Sequence, residues 1–219
     1  MAAVNEWIVR EYFEQLGYLV HQPTKHVATG RHEESEREGN LMIMNPCVKD
    51  HVVPKQAVWT SEDMKGIARA VVCVRGWHTG RFYLKNFEHD SDLLGFVDGQ
   101  ALRLAHKLVG PGPIARVLCL SKLPASEELE EKTLRYLREK GVDGVITFST
   151  MLAELIHRVD GSRNYEKSDL LQIIRILKIY DFFKDYQMEL FGKKKPRIAT
   201  DRKKQAPPEE VKPAPPPAE

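Results

Sequence analysis

Three residues on two short apolar runs carry the chemistry worth weighing: Asn40, Cys73 and Arg75. Cys73 and Arg75 lie in RAVVCVRGWHTGRF (69–82), where Val71, Val72 and Val74 make a strongly β-forming run closed by Gly76. Side chains on a strand alternate faces, so Cys73 and Arg75 point one way and Val72 and Val74 the other. One face is therefore expected to present a polar pair, the other plain core. Asn40 lies in REGNLMIMNP (37–46), on the same face as Glu38, Met42 and Met44. A Mg²⁺ ion wants charged oxygen ligands, and neither a neutral amide nor a soft thiol supplies one. Glu38 is the carboxylate in position to act as a metal ligand. Arg75 keeps a fixed charge and a fork that grips phosphate. Trp77 and His78 follow at once. An aromatic ring and an imidazole there could stack on a base; the plainer reading is a core Trp and a surface His.

The elements that position these residues run helix, strand, strand, then the strand with polar residues at i and i+2. This order resembles the PD-(D/E)XK, or restriction-endonuclease-like, nuclease fold over roughly residues 5–120. The resemblance implies an Asp on the second strand, where Asn40 stands, and Glu-x-Lys on the third, where Cys73-Val74-Arg75 stands. It therefore implies a degenerate member with its catalytic positions at Asn40, Cys73 and Arg75 and the carboxylates lost. No cofactor is expected, and Mg²⁺ only if Glu38 and another carboxylate rebuild a site. The chain to about residue 192 also resembles a bacterial protein family without an assigned activity.

A second motif sits near the C-terminus. Gln187, Met188, Glu189, Leu190 and Phe191 resemble the bacterial sliding-clamp-binding pentapeptide, with Met188 in place of a Leu. Such peptides dock anchoring side chains in a preformed groove. The plainer alternative is that Leu190 and Phe191 close the domain's own core. Lys193, Lys194, Lys195, Arg197, Arg202, Lys203 and Lys204 follow and would suit a nearby phosphate backbone, or simply solubilise the tail.

Composition bounds the rest. The chain has 219 residues, 42% hydrophobic, with a formal net charge of +2, so it can bury a core but is not basic overall. Cys47, Cys73 and Cys119 show no CxxC spacing and read as reduced thiols of a cytoplasmic protein. No signal peptide and no membrane-length apolar run are expected. Asn5 is expected to cap a first helix with Trp7, Ile8, Tyr12 and Leu16 on its apolar face, and Gly17 to end it. Ser61, Ser126, Ser149 and Ser168 are expected to cap later helices, the last running long and mostly buried from 169 to 186. Core faces are expected from Leu102, Ala105, Leu108 and Val109 on one helix and Leu129, Leu134 and Leu137 on the next. Strands at 114–124 and 142–148 flank a helix, which implies parallel pairing.

The expected architecture is a three-layer α/β/α domain with a mixed central sheet over 1–165. A C-terminal helix and the clamp-like peptide occupy 166–192, and a disordered basic, Pro-rich tail 193–219. The expected function is binding in DNA metabolism, with DNA and a sliding clamp as partners. The alternatives are an active metal-dependent nuclease and an interaction protein with no nucleic-acid role.

Overall fold

The structure is a computed structural model that describes residues 2–22, 40–76, 78–89 and 91–183. Glu38, Trp77, the QMELF segment and the tail at 193–219 lie outside the described residues.

Helix α1 (Ala2–Gln15) begins before Asn5, so Asn5 does not cap it. Its buried face includes Asn5, Val9, Tyr12 and Phe13, spaced as a helix stripe requires, while Trp7 and Ile8 are half-buried. The C-terminus closes as expected. Gly17 sits at φ +86, its N–H reaching Glu14 O at 3.0 Å, and the Tyr18 N–H reaches Phe13 O at 3.0 Å. That pair of bonds is a Schellman motif, and the left-handed residue it needs is glycine.

Five strands form one sheet in the order β1 (Leu19–His21), β2 (Asn40–Met44), β3 (Arg69–Arg75), β4 (Ala115–Leu120), β5 (Gly144–Thr147). β1, β2 and β3 pair antiparallel; β3, β4 and β5 pair parallel. The expected mixed sheet and parallel crossover pairing are present. β3 is buried on both faces, as the central strand of a covered sheet must be.

Helices cover both faces. Cys73, Met42, Val71, Leu118 and Val145 pack against Phe82, Phe87, Phe96, Ala105, Val109 and Leu137. Phe82 precedes α3 (Leu84–His89); the others come from α3, a 3₁₀ turn at 91–97, α4 (Gly99–Val109) and α5 (Glu127–Glu139). The opposite layer is α1 with α6 (Phe148–Arg158), tied by the Tyr12 hydroxyl donating to Glu154 Oε2 at 3.4 Å. Burial and Glu154 push the Tyr12 phenol far up its scale. The Glu154 carboxylate also accepts the Ser61 N–H at 3.1 Å, which anchors the short helix α2 (Ser61–Met64).

Several local expectations shift by a residue or a turn. The cap of α2 is Thr60, in a capping box with Asp63, not Ser61. The cap of α6 is Thr147, whose Oγ1 accepts the Thr150 N–H, not Ser149. On α4, Ala105 and Val109 are buried but Leu108 is exposed; on α5, Thr133 and Leu137 are buried but Leu129 is exposed. Residues 57–59 form a short parallel bridge along β5 and carry Trp59, fully buried, onto Gly144.

Helix α7 (Asp169–Ile179) departs further from expectation. Ser168 caps it as foreseen, accepting the Leu171 N–H at 3.3 Å while donating to the buried Glu11 carboxylate of α1 at 2.7 Å. The helix ends at Ile179, well short of the expected 186, with Tyr180 at its C-cap and Asp181 at φ 62. Leu171 and Ile174 are its buried residues, so it is not mostly buried. The chain divides into a compact unit ending at Tyr180, which includes α7, and a second unit from Asp181 onward.

Candidate functional site

Asn40 opens β2 and stands directly across from Cys73 of β3. Opposed residues of an antiparallel pair share a face, so Asn40 and Cys73 are neighbours, with Arg75 on the same face one step further along. The sequence placed these three side chains together, and so does the sheet. They gather where β3, β4 and β5 end, the side of an open parallel sheet at which ligands are usually bound.

Their environments differ from the expectation of a polar face. Cys73 has no solvent exposure and belongs to the apolar core beneath Phe82 and Phe87. Burial pushes its thiol up to about 11, although Arg75 pulls it the other way. Cys73 is therefore a neutral core residue, not a group at an open surface. Cys119, on the other face of the sheet, is likewise buried with its thiol pushed up. Asn40 Oδ1 is buried and has no hydrogen-bond partner among the described residues. Arg75, half-buried, donates from Nη1 to Val74 O at 3.0 Å.

His78 lies at the surface, as its plainer reading expects, yet it also holds the strand end. Its Nε2 lies 2.7 Å from Asn5 Oδ1, and its ring meets Phe148 edge-on with centroids 4.9 Å apart. Asn5 Nδ2 in turn donates to Gly76 O at 3.0 Å. Gly76 leaves no room for a β-carbon beside Asn5. His78 thus joins α1, the β3 end and α6. Asn5 was missed as a tie; a polar residue on the 5-9-12-13 apolar stripe was the signal for it.

The chain after β3 folds back along the chain after β4. The Phe82 N–H reaches Lys122 O at 2.9 Å, and Arg81 Nη1 reaches Leu123 O at 2.7 Å. Two segments, 75–85 and 121–125, therefore meet at one end of the sheet. Together they carry Arg75, His78, Arg81, Lys85 and Lys122 and not one carboxylate side chain. Arg81 and Lys122 were not singled out from sequence, because their nearness exists only once β4 lies beside β3.

The opposite end of the sheet holds a separate polar group. Asp143 accepts two bonds from the Arg116 guanidinium, at 2.9 and 3.0 Å, and the Arg116 N–H at 2.8 Å. His51 Nδ1 accepts the Ala68 N–H at 3.2 Å, which requires the proton on Nε2; Nε2 is buried without a partner among the described residues. Burial lowers the His51 pKa, with Asp143 opposing and Arg69 assisting. The folded value thus lies below the unfolded one, and the unfolded chain takes up more protons as pH falls. His51 therefore favours the fold fully above the usual histidine value and progressively less below it. Urea midpoints should rise from about pH 5.5 to 7.5 around that value, and the rise should be smaller in His51→Gln. Equal slopes in the two proteins would show that His51 is not the group titrating.

No protein-family model, curated protein or solved structure matches the chain. Among the described residues no helix is long and apolar enough to cross a membrane, and no group of three or more His, Cys, Asp or Glu could hold a metal ion.

Proposed function

We propose that this chain is a nuclease-like protein of DNA metabolism that binds nucleic acid without cutting it. The observation that carries the reading is the rim made by 75–85 and 121–125, with its cations and no carboxylate side chain. A phosphate backbone is attracted by such a local excess of positive charge, even when the chain's net charge is near zero. Support for a restriction-endonuclease-like core comes from the strand order and from Asn40 standing across from Cys73. Support for lost hydrolysis comes from Cys73, sealed in the core at the position where a metal-binding carboxylate would be needed. The rival reading, a metal-dependent nuclease built on Glu38, has less support for the same reason. Recruitment by a bacterial sliding clamp through Gln187, Met188, Leu190 and Phe191 belongs to this proposal, and Lys193, Lys194 and Lys195 would add phosphate contacts beside it.

The test is a fluorescence-anisotropy titration of short duplex and single-stranded DNA at several salt concentrations. Arg75→Ala with Lys122→Ala should weaken binding and flatten the plot of log K against log salt by about one unit per lost phosphate contact. Arg81 is left intact because its guanidinium holds Leu123 O. Incubation with Mg²⁺ or Mn²⁺ should leave the DNA whole. Wild-type cleavage, or a salt slope that the double variant does not change, would overturn the reading.

A further inference from the structure

Helix α7 is apolar on more sides than the domain covers. Its cations face the protein: Arg175 Nε donates to Gly161 O at 3.0 Å, and Lys178 Nζ to Val159 O at 2.6 Å, just past the end of α6. Gln172 Oε1 accepts the Tyr165 N–H at 3.1 Å. Leu171 and Ile174 are buried beside them, but a second apolar face is turned to water. Ile173 is 51% exposed, Ile176 43%, Ile179 51% and Tyr180 73%. An amphipathic helix normally buries its apolar stripe and solvates its charges. Here the side turned to the domain holds Leu171 and Ile174 together with polar groups bonded to residues 159–165, and the apolar face of Ile173, Ile176 and Tyr180 is exposed.

The pattern along that side points to its occupant. Ile173, Ile176 and Tyr180 recur at the three- and four-residue steps of one helix face, and Asp169 lies on the same face a turn before Ile173. The midpoint between Ile173 and Ile176 is also the midpoint between Asp169 and Tyr180. A two-fold axis through that midpoint, relating two antiparallel copies of α7, sets each Ile173 against the other copy's Ile176. It sets each Tyr180 hydroxyl, a donor, beside the other copy's Asp169 carboxylate, an acceptor. The stripe carries no charge at its centre, so an identical stripe meets it without repulsion. Antiparallel helices also place opposite ends of their dipoles together.

We infer that the α7 face is a homodimer interface, with a second copy of this chain packed antiparallel through Ile173, Ile176, Tyr180 and Asp169. Its size fits a reversible dimer. The helix has 11 residues, roughly 16 Å of length at about 1.5 Å each. A patch that short falls below the total of roughly 1,200 Å² at which standard stable interfaces begin, so association should depend on concentration in the accessible range. The inference stands apart from the nucleic-acid proposal.

The experiment is sedimentation equilibrium of the full chain over a concentration series. Wild type should pass from monomer to dimer. Ile173→Glu with Ile176→Glu should raise the dissociation constant at least about tenfold; because both positions are exposed, its thermal melt should match wild type at concentrations where wild type is monomeric. A register test follows from the two-fold pairing. Asp169→Lys alone and Tyr180→Glu alone should each weaken the dimer. The two together should restore it, because the introduced lysine of one copy then meets the introduced glutamate of the other across the axis. A wild type that stays monomeric up to several hundred micromolar overturns the inference. A dimer indifferent to the paired glutamates overturns it too, and failure of the charge pair to rescue rejects the antiparallel register.

Discussion

Replacing Cys73 by glutamate is expected to destabilise the protein severely and to restore no nuclease activity. The substitution returns the residue type that the nuclease-like pattern demands on the third strand. The site it returns to is closed: Cys73 has no solvent exposure and is packed with Phe82, Phe87, Leu118 and Val71. A carboxylate there loses its hydration, and an uncompensated buried charge costs about 3–5 kcal/mol, against about 5–15 kcal/mol of total stability. Arg75, nearby and positive, offsets part of this, as it already lowers the Cys73 pKa against a larger burial effect. The glutamate would respond by staying protonated. Its folded pKa would lie above the unfolded value, so the loss should be least at low pH and grow as pH rises through the carboxylate range. Cys73→Ala, which leaves only a small cavity, should cost far less. Urea unfolding at several pH values compares the three proteins. A stable Cys73→Glu protein that cleaves DNA with Mg²⁺ would show that position 73 opens to solvent and that the core described above is wrong there.

Sequence misjudged Cys73 for a physical reason. Strand alternation gives parity, and it correctly placed Asn40, Cys73 and Arg75 on one face and Leu41, Ile43 and Val72 on the other. It does not tell which layer covers a face. Cys and Arg looked like a polar pair because Arg is polar; Cys is by preference a core residue. Only the return of the chain through Phe82, Phe87 and Phe96 decides that position 73 is sealed while position 75, at the strand end, is half-open.

Elements with strong periodicity and clear punctuation were legible: the Gly17 helix end, the Ser168 cap and the five strands. Caps proved ambiguous where two hydroxyl residues lie close together. Thr60 precedes Ser61 and has Asp63 three residues on, so the capping box chooses Thr60. In α7 the sequence showed abundant Leu and Ile and predicted burial, yet Ser168, Gln172, Arg175 and Lys178 all found partners on the domain side. Directional hydrogen bonds, chiefly to residues 159–165, set the helix's rotation, which hydrophobic periodicity alone could not give.

Gly144→Ala is expected to be the most damaging single methyl addition in the domain. Gly144 begins β5, pairs with Val117 of β4 and is buried. Its φ is not in the left-handed region, so the backbone would accept alanine without strain; the obstacle is space. A β-carbon there would fall within the Trp59 indole, at the atoms that join its two rings. Trp59 cannot easily move aside. It is fully buried, its Nε1–H donates to Gln56 O at 2.8 Å, and its own N–H reaches Val145 O at 2.8 Å. On the other side of that bridge the Val145 N–H reaches Ala57 O at 2.8 Å, so residues 57–59 are held fast beside Gly144. Overpacking costs about 1–3 kcal/mol where side chains can adjust; here the clash is with a pinned ring, so the upper end is expected. At about 2–4 °C per kcal/mol for a domain of this size, the melting temperature should fall by roughly 6–12 °C. Relief should come from shrinking the ring: Gly144→Ala with Trp59→Phe should be less than additive, because the two positions share one space. Thermal melts of the four proteins in that cycle give the answer. A Gly144→Ala protein that melts with wild type would mean that the Trp59 ring does not lie on Gly144.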